Sequence, residues 1–104
     1  VKLENMQRGG AVYIVTNKSH AVLYIGVTSD LRSRIQQHRE HVYKKSFSDR
    51  YNTEKLVFYE LFGSIDEAIA REKEIKKWRR EKKEALIQSM NPDWNDLWEV
   101  VKEW

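Results

Sequence analysis

The side chains that could do chemistry come in one order along the chain: Tyr13, Tyr24, Arg34, His38 and, well downstream, Glu72. Arg34 and His38 are four residues apart, which makes them neighbours on one face of a helix. A guanidinium offers a fixed fork of donors that suits phosphate and stabilises charge developing on phosphoryl oxygens. An imidazole one turn later suits proton transfer or a hydrogen bond to phosphate. A tyrosine acts as a base only if its pKa, ordinarily about 10, is lowered. A metal-bound water or an adjacent arginine could supply that help, so the tyrosine reading depends on Arg34 and Glu72 lying close by. Glu72 itself is out of pattern. Ile65, Ala68, Ile69 and Ile75 mark an apolar helical stripe that calls for an apolar residue at position 72. Burying an unpaired carboxylate is costly. Glu72 is therefore either half of a structural ion pair or a carboxylate at a cleft, holding a divalent cation through oxygen. Each of the other four, taken singly, is also an ordinary strand or helix residue.

Simple elements can position these groups. Residues 11–16 and 22–27 are rich in β-branched and aromatic side chains and predict two strands, paired as an antiparallel hairpin across a turn at 17–20. A turn centred on Lys18-Ser19 sets Tyr13 opposite Tyr24. Gly26, within the second strand, marks either a close approach of backbone or ligand or an ordinary strand end. Thr28 or Ser29 can cap a helix with Asp30 in its first turn, and Leu31, Ile35, His38 and Val42 recur at helical spacing. Residues 43–53 have no clean period and read as a loop with one short helical turn. Residues 55–62 are the third strand. A long helix begins near Ile65 behind a Ser64 or Asp66 cap. It breaks in the polar stretch 79–83, and a short helix passes through Ala85, Leu86 and Ile87. Asn91-Pro92 reads as a helix start. Trp94, Leu97, Trp98, Val101 and Trp104 then form the apolar stripe of a last, amphipathic helix. The resulting division is a lead-in at 1–9 and a single domain at 10–104.

Composition bounds what that domain does. The chain of 104 residues is 40% hydrophobic and 34% charged, too apolar for a disordered tail and without an apolar run that could span a membrane. It has no cysteine, which removes disulfides and thiolate chemistry and fits a cytoplasmic setting. Phosphate-binding glycine loops, zinc spacings and nucleophile elbows are missing, which argues against nucleotide hydrolases, zinc enzymes and acyl transferases. The net charge is only +3, but it is unevenly spread. Residues 31–50 and 71–83 are basic, whereas 93–104 is acidic. That asymmetry predicts one face for an anionic partner, with Arg32, Arg39, Lys44, Lys45, Arg50, Lys76, Arg79 and Arg80 as candidate phosphate contacts.

The ordered set of Tyr13, Tyr24-Ile25-Gly26, Arg34, His38 and Glu72, the last in a helix opening Asp66-Glu67-Ala68-Ile69-Ala70, resembles the GIY-YIG nuclease family. The likeness is to its small single-domain bacterial members, also described as URI-domain predicted endonucleases, and covers residues 10–92. The resemblance implies an α+β fold, a three-stranded antiparallel sheet flanked by helices, in agreement with the elements read above. It implies metal-dependent hydrolysis of DNA phosphodiesters with a single Mg²⁺ or Mn²⁺, with RNA as the other candidate substrate, and neither a membrane nor a small-molecule cofactor. Tyr13 would activate or orient the attacking water and Tyr24 would hydrogen-bond near it. Arg34 would stabilise the transition state, His38 matches the histidine of some members, and Glu72 would hold the metal. The chain departs from the pattern at Ala11, where the first motif has glycine, with Gly10 one position earlier. The family's late asparagine falls on Asn91 or Asn95. No added DNA-binding domain is read, so the basic segments would carry binding, electrostatic and weakly sequence-specific. Two other readings follow from the same residues: a nucleic-acid-binding module that keeps the fold without catalysis, and a protein-interaction domain docking through exposed tryptophans.

Overall fold

The computed structural model describes residues 9–41 and 52–104, and the structural statements below concern those residues. The expected lead-in before Gly9, the helical position Val42 and most of the loop at 43–53 lie outside them. Three strands, β1 (Gly10–Thr16), β2 (Leu23–Thr28) and β3 (Lys55–Phe62), form one antiparallel sheet in the order β2-β1-β3. They fall within one residue of the predicted bounds. β1 is central and buried along its whole length, which explains its unbroken apolar run. Val12 and Ile14 face one core with Ile25, Val57, Phe58, Ala68, Ile75 and Ile87. Ala11, Tyr13 and Val15 face the other with Leu31, Ile35, Leu56 and Val101.

Helix α1 (Leu31–Arg39) covers the second face. Its cap is Asp30 rather than Thr28 or Ser29. The Asp30 carboxylate accepts from the Ser33 amide at 3.2 Å and from the Ser33 hydroxyl at 2.9 Å, while the Thr28 hydroxyl accepts from the Asp30 amide at 3.0 Å. Thr28 thus holds the capping residue from behind. Helix α2 (Ile65–Lys76) is capped by Ser64, whose hydroxyl accepts from the Glu67 amide, and buries Ala68 and Ile75 on the first face. The expected break lies earlier, at residues 77–79, and α3 (Arg80–Met90) is already helical within the stretch read as broken. Polarity alone does not stop a helix there, since Arg80 and Glu84 pair one turn apart at 2.7 Å on its exposed face.

The C-terminal region differs most from expectation. Asn91 ends a helix instead of starting one, and the last helix, α4, is only Trp98–Val101. The cause is a β-bulge. β1 slips register against β3 between Ile14 and Val15, leaving Val57 outside the ladder. Asn91, 4% exposed, donates through Nδ2 to the Val57 carbonyl at 3.1 Å and to the Asn95 carbonyl at 2.8 Å, and its Oδ1 accepts from the Asn95 amide at 3.0 Å. Its side chain is committed to the bulge and cannot cap a helix. Residues 95–97 then run beside β3, where Asp96 accepts from the Leu56 amide and the Leu97 amide donates to the Leu56 carbonyl. Trp94 lies in this connection, outside α4. Trp98 is overlain by Arg32 and Arg39, and Trp104 meets Tyr59 edge-on. Trp94, Trp98 and Trp104 are all half-buried and occupied within the chain, which removes the main support for docking through exposed tryptophans. No described helix is long and apolar enough to cross a membrane.

Candidate active site

The alternation of β1 sends Tyr13 to the face covered by α1, where it is 2% exposed. Its cross-strand partner is Gly26, not Tyr24. The expected register is off by two residues because the turn is longer than predicted: Asn17 Oδ1 accepts from the amides of both Ala21 and Val22 and holds the chain open to residue 22. A two-residue shift preserves the face, so Tyr24 still lies on the same side as Tyr13, their ring centroids 6.4 Å apart. Gly26 has a steric reason. A Cβ there would fall 2.3 Å from both Cζ and the hydroxyl oxygen of Tyr13. The phenol lies directly over the glycine, so the close approach anticipated in the strand is that of Tyr13 itself. At the altered position of the motif, Ala11 is fully buried, and Gly10 before it leaves space for Ile65 and Ala68 of α2.

His38, in the last turn of α1, meets both phenols edge-on, with centroids 5.4 Å from Tyr13 and 5.5 Å from Tyr24. The Tyr13 hydroxyl lies 2.9 Å from His38 Nε2. In the Nδ1–H tautomer of the neutral ring the phenol donates this bond. Burial, and then the charge of Arg34 one turn earlier, push the His38 pKa down to about 4, so the ring is neutral at pH 7. Tyr13 moves the other way. Burial raises its pKa well above the ordinary phenol value, Tyr24 and Glu72 raise it further, and Arg34 opposes them. Arg34 and Glu72 therefore both act on the phenol of Tyr13, Arg34 from α1 and Glu72 from α2. The free protein does not hold Tyr13 as a ready base; it holds a protonated phenol against a neutral imidazole.

The Glu72 side chain is 14% exposed and binds Lys76 Nζ at 3.0 Å through Oε2. The out-of-pattern carboxylate thus has an ion-pair partner and also bears on Tyr13. No group of three or more His, Asp or Glu that could hold a metal occurs among the described residues. The groups at hand are the Glu72 carboxylate, the phenol oxygens and the His38 nitrogen; the carboxylate and phenols are oxygen donors of the kind that could hold a hard divalent cation keeping most of its waters.

The candidate phosphate contacts are less uniform. Lys44, Lys45 and Arg50 lie outside the described residues. Arg39 pairs with Asp96 at 2.8 Å, and Arg32 donates to the Lys102 carbonyl at 3.1 Å, so both tie the C-terminal segment to α1. Lys76 is held by Glu72. Arg80 pairs with Glu84 and donates to the carbonyls of Ala21 and His20. Arg79 is exposed at the start of α3. Of the two asparagines, Asn91 is the bulge clamp and Asn95 is exposed. The Glu72–Lys76 pair, absent from the expectations above, has a sequence signal in its spacing of four on one helix. His20 is expected there only as a turn residue. A cavity of about 800 Å³ opens beside the β1–β2 turn, lined by Lys18, Arg39, Glu54, Lys55 and Asp96 among others. It contains none of the Tyr13 cluster, and its charges are mixed in sign.

Residues 9–85 match the GIY-YIG catalytic domain. A UPF0213 protein of Haloquadratum walsbyi is 36% identical over 77 residues, covering 74% of this chain and 84% of that protein. A UPF0213 protein of Syntrophus aciditrophicus is 34% identical over 82 residues, 79% of this chain and 92% of that one. One from Staphylococcus haemolyticus is 38% identical over 77 residues, 74% and 92% of the two chains. No solved structure matches the chain significantly. With a sheet and helices of the expected kind and a domain match over most of its length, the chain belongs to the GIY-YIG family, and that membership implies nuclease-type chemistry on nucleic acid.

Proposed function

We propose that the chain is a divalent-metal-dependent endonuclease that hydrolyses DNA phosphodiester bonds, acting on branched or damaged substrates in repair or recombination. The observation that carries this reading is the bond between Tyr13 and a neutral His38, on a phenol that also feels Arg34 and Glu72. Tyr13 offers the attacking water an oxygen to bind. As the water's proton passes to that oxygen, the phenol's own proton passes to His38 Nε2. The phenol stays neutral throughout, so its raised pKa is no obstacle. His38 gains the charge, and an anionic phosphate drawn in by Arg34 lifts its basicity from the low resting value. Tyr24 adds a second hydroxyl beside the same water or phosphate. Arg34 holds the scissile phosphate and stabilises charge on its oxygens, and Glu72 holds the cation. A Mg²⁺ or Mn²⁺ at Glu72 supplies Lewis-acid stabilisation of the phosphoryl oxygens.

The test is cleavage of a panel of duplex, flap and single-stranded DNA with Mg²⁺ or Mn²⁺, with an RNA strand beside it. Wild type cuts at least one DNA substrate. Tyr13→Phe and Glu72→Ala lose cleavage while keeping salt-dependent binding. If no substrate is cut, or if Glu72→Ala cuts at the wild-type rate, the proposal fails.

A further inference from the structure

The turn joining β1 to β2 carries groups that the Tyr13 site does not use. His20 lies in this turn and Trp94 in the connection after α3, yet their rings stack with centroids 4.7 Å apart and planes 24° from parallel. Both residues hold left-handed backbone, with φ of 61° and 54°. Both are placed by the same local device. The His20 amide donates to the Asn17 carbonyl and the Trp94 amide to the Asn91 carbonyl, each at 3.0 Å. One residue further on, the Ala21 amide donates to Asn17 Oδ1 and the Asn95 amide to Asn91 Oδ1. The last position of such a turn is where glycine fits without strain and a side chain does not. The chain puts an aromatic ring in both places.

Core packing accounts for Trp94, whose ring lies against the cluster around Ile87. It does not account for His20, which covers Trp94 from the turn. Cations gather around that imidazole instead. Lys55 Nζ lies 3.0 Å from Nε2, Arg80 donates to the carbonyls of His20 and Ala21, and Lys18 is exposed in the same turn. Arg80 is shared with Glu84. Burial and the charges of Lys55 and Arg80 lower the pKa of His20, which favours the neutral ring. A neutral aromatic stack edged by cations is the chemistry that holds unpaired bases with their phosphates. The stack lies at the β1–β2 turn against the Ile87 cluster, on the other face of the sheet from Tyr13.

We propose that the His20–Trp94 stack, with Lys18, Lys55 and Arg80 at its edge, is a platform for an unpaired nucleobase of a bound nucleic acid. The proposal rests on nucleic acid being the substrate and narrows it to one with a single-stranded segment. His20→Gly separates this role from a structural one, because it removes the ring and also relieves the left-handed strain. Binding is measured by fluorescence anisotropy with labelled oligo-dT and with a blunt duplex, in EDTA at fixed salt, alongside thermal melting. The expected result is a Tm equal to or above wild type, with oligo-dT affinity reduced fivefold or more and duplex affinity nearly unchanged. His20→Asn, which also tolerates the left-handed backbone, gives the same pattern. Unchanged oligo-dT affinity in either variant, equal loss on both ligands, or no oligo-dT binding by wild type overturns the platform. The metal-free assay keeps the two proposals apart: a wild type that binds oligo-dT through His20 but cuts nothing refutes the nuclease and leaves the platform standing.

Discussion

Gly26→Ala puts the placement of Tyr13 to the hardest test. The added methyl would sit 2.3 Å from Cζ and the hydroxyl oxygen of Tyr13, against about 3.5 Å for carbon atoms in contact. Something must move by about 1 Å. The two backbones are fixed by the β1–β2 ladder, in which Tyr13 and Gly26 are direct partners. The phenol is 2% exposed, with His38 beside it and Tyr24 on the same face. The ring must therefore rotate, and the 2.9 Å bond to His38 is what it loses. A misplacement of that size costs on the order of 100-fold in rate. Overpacking of this kind costs about 1–3 kcal/mol in stability. Cleavage rates and circular-dichroism melting read the two effects separately. The expected outcome is a folded variant, several degrees less stable, that cuts about 100-fold more slowly. A second background isolates the cause. With Tyr13→Val the ring is gone, and Gly26→Ala should then stabilise, since alanine is favoured over glycine in a strand by about 0.5–1 kcal/mol. Wild-type cleavage by Gly26→Ala, or the same destabilisation in both backgrounds, would refute the steric reasoning.

Three further outcomes follow from other contacts. Lys76→Met frees the Glu72 carboxylate from its 3.0 Å partner; Mn²⁺ binding to the DNA-free protein, read by electron paramagnetic resonance, should tighten by up to about fivefold, the worth of a part-exposed ion pair, and unchanged affinity would mean that Lys76 does not compete there. Asn91→Ala strands the Val57 carbonyl at the bulge, so urea unfolding should show a loss of about 2–3 kcal/mol, and a loss below 0.5 kcal/mol (about the scatter of surface substitutions) would remove the clamp from the account. His38 has a folded pKa of about 4, below its unfolded value of about 6.5. The unfolded chain takes up the proton first, so stability present above pH 6.5 is lost as pH falls towards 4. At about 1.4 kcal/mol per unit, discounted for the ring's partial exposure, the loss is about 2 kcal/mol. Melting curves of His38→Gln should be flatter than wild type across that window, and parallel curves would contradict the shift.

How legible each feature was depended on the range of the interaction that sets it. The strands were legible because β1 is buried on both faces and writes that burial as an unbroken run, Ala11 to Thr16. The starts of α1 and α2 were legible to within a residue or two because caps are local chemistry, although Asp30 displaced Thr28 through a hydrogen bond that the pattern could not rank; the starts of α3 and α4 were not. Asn91 was misread because its partner, the Val57 carbonyl, lies 34 positions away and exists only because of a bulge. The Tyr13–Gly26 contact was half legible. A glycine in a strand announces a close approach, but the identity of what approaches depends on a register that the turn length sets. For the site, the resemblance to a known family supplied the grouping of Tyr13, Tyr24, Arg34, His38 and Glu72. The spacing along the chain supplied the Arg34–His38 neighbourhood and, through the hairpin, the shared face of Tyr13 and Tyr24.

The charge balance at Tyr13 bears on when the proposed chemistry begins. Burial raises the phenol's pKa and lowers the imidazole's, so the resting pair holds its one shared proton on Tyr13 and carries no charge. Arg34 sharpens this state at His38 and opposes it at Tyr13, because a fixed positive charge disfavours both the imidazolium and the protonated phenol. A phosphate placed against Arg34 cancels that positive field. The barrier to moving the proton from Tyr13 to His38 then falls on the imidazole side, while the water's proton replaces the one the phenol gives up. Substrate would in this way supply the charge that makes the base, and the free protein would hold no strong base to spend on stray water. A measurable consequence is that the His38 pKa, followed by NMR on Glu72→Gln to prevent turnover, should rise from about 4 towards 6 when DNA binds. A His38 pKa that stays near 4 in the bound state would leave Tyr13 without a proton acceptor and sink the relay, whatever becomes of the metal.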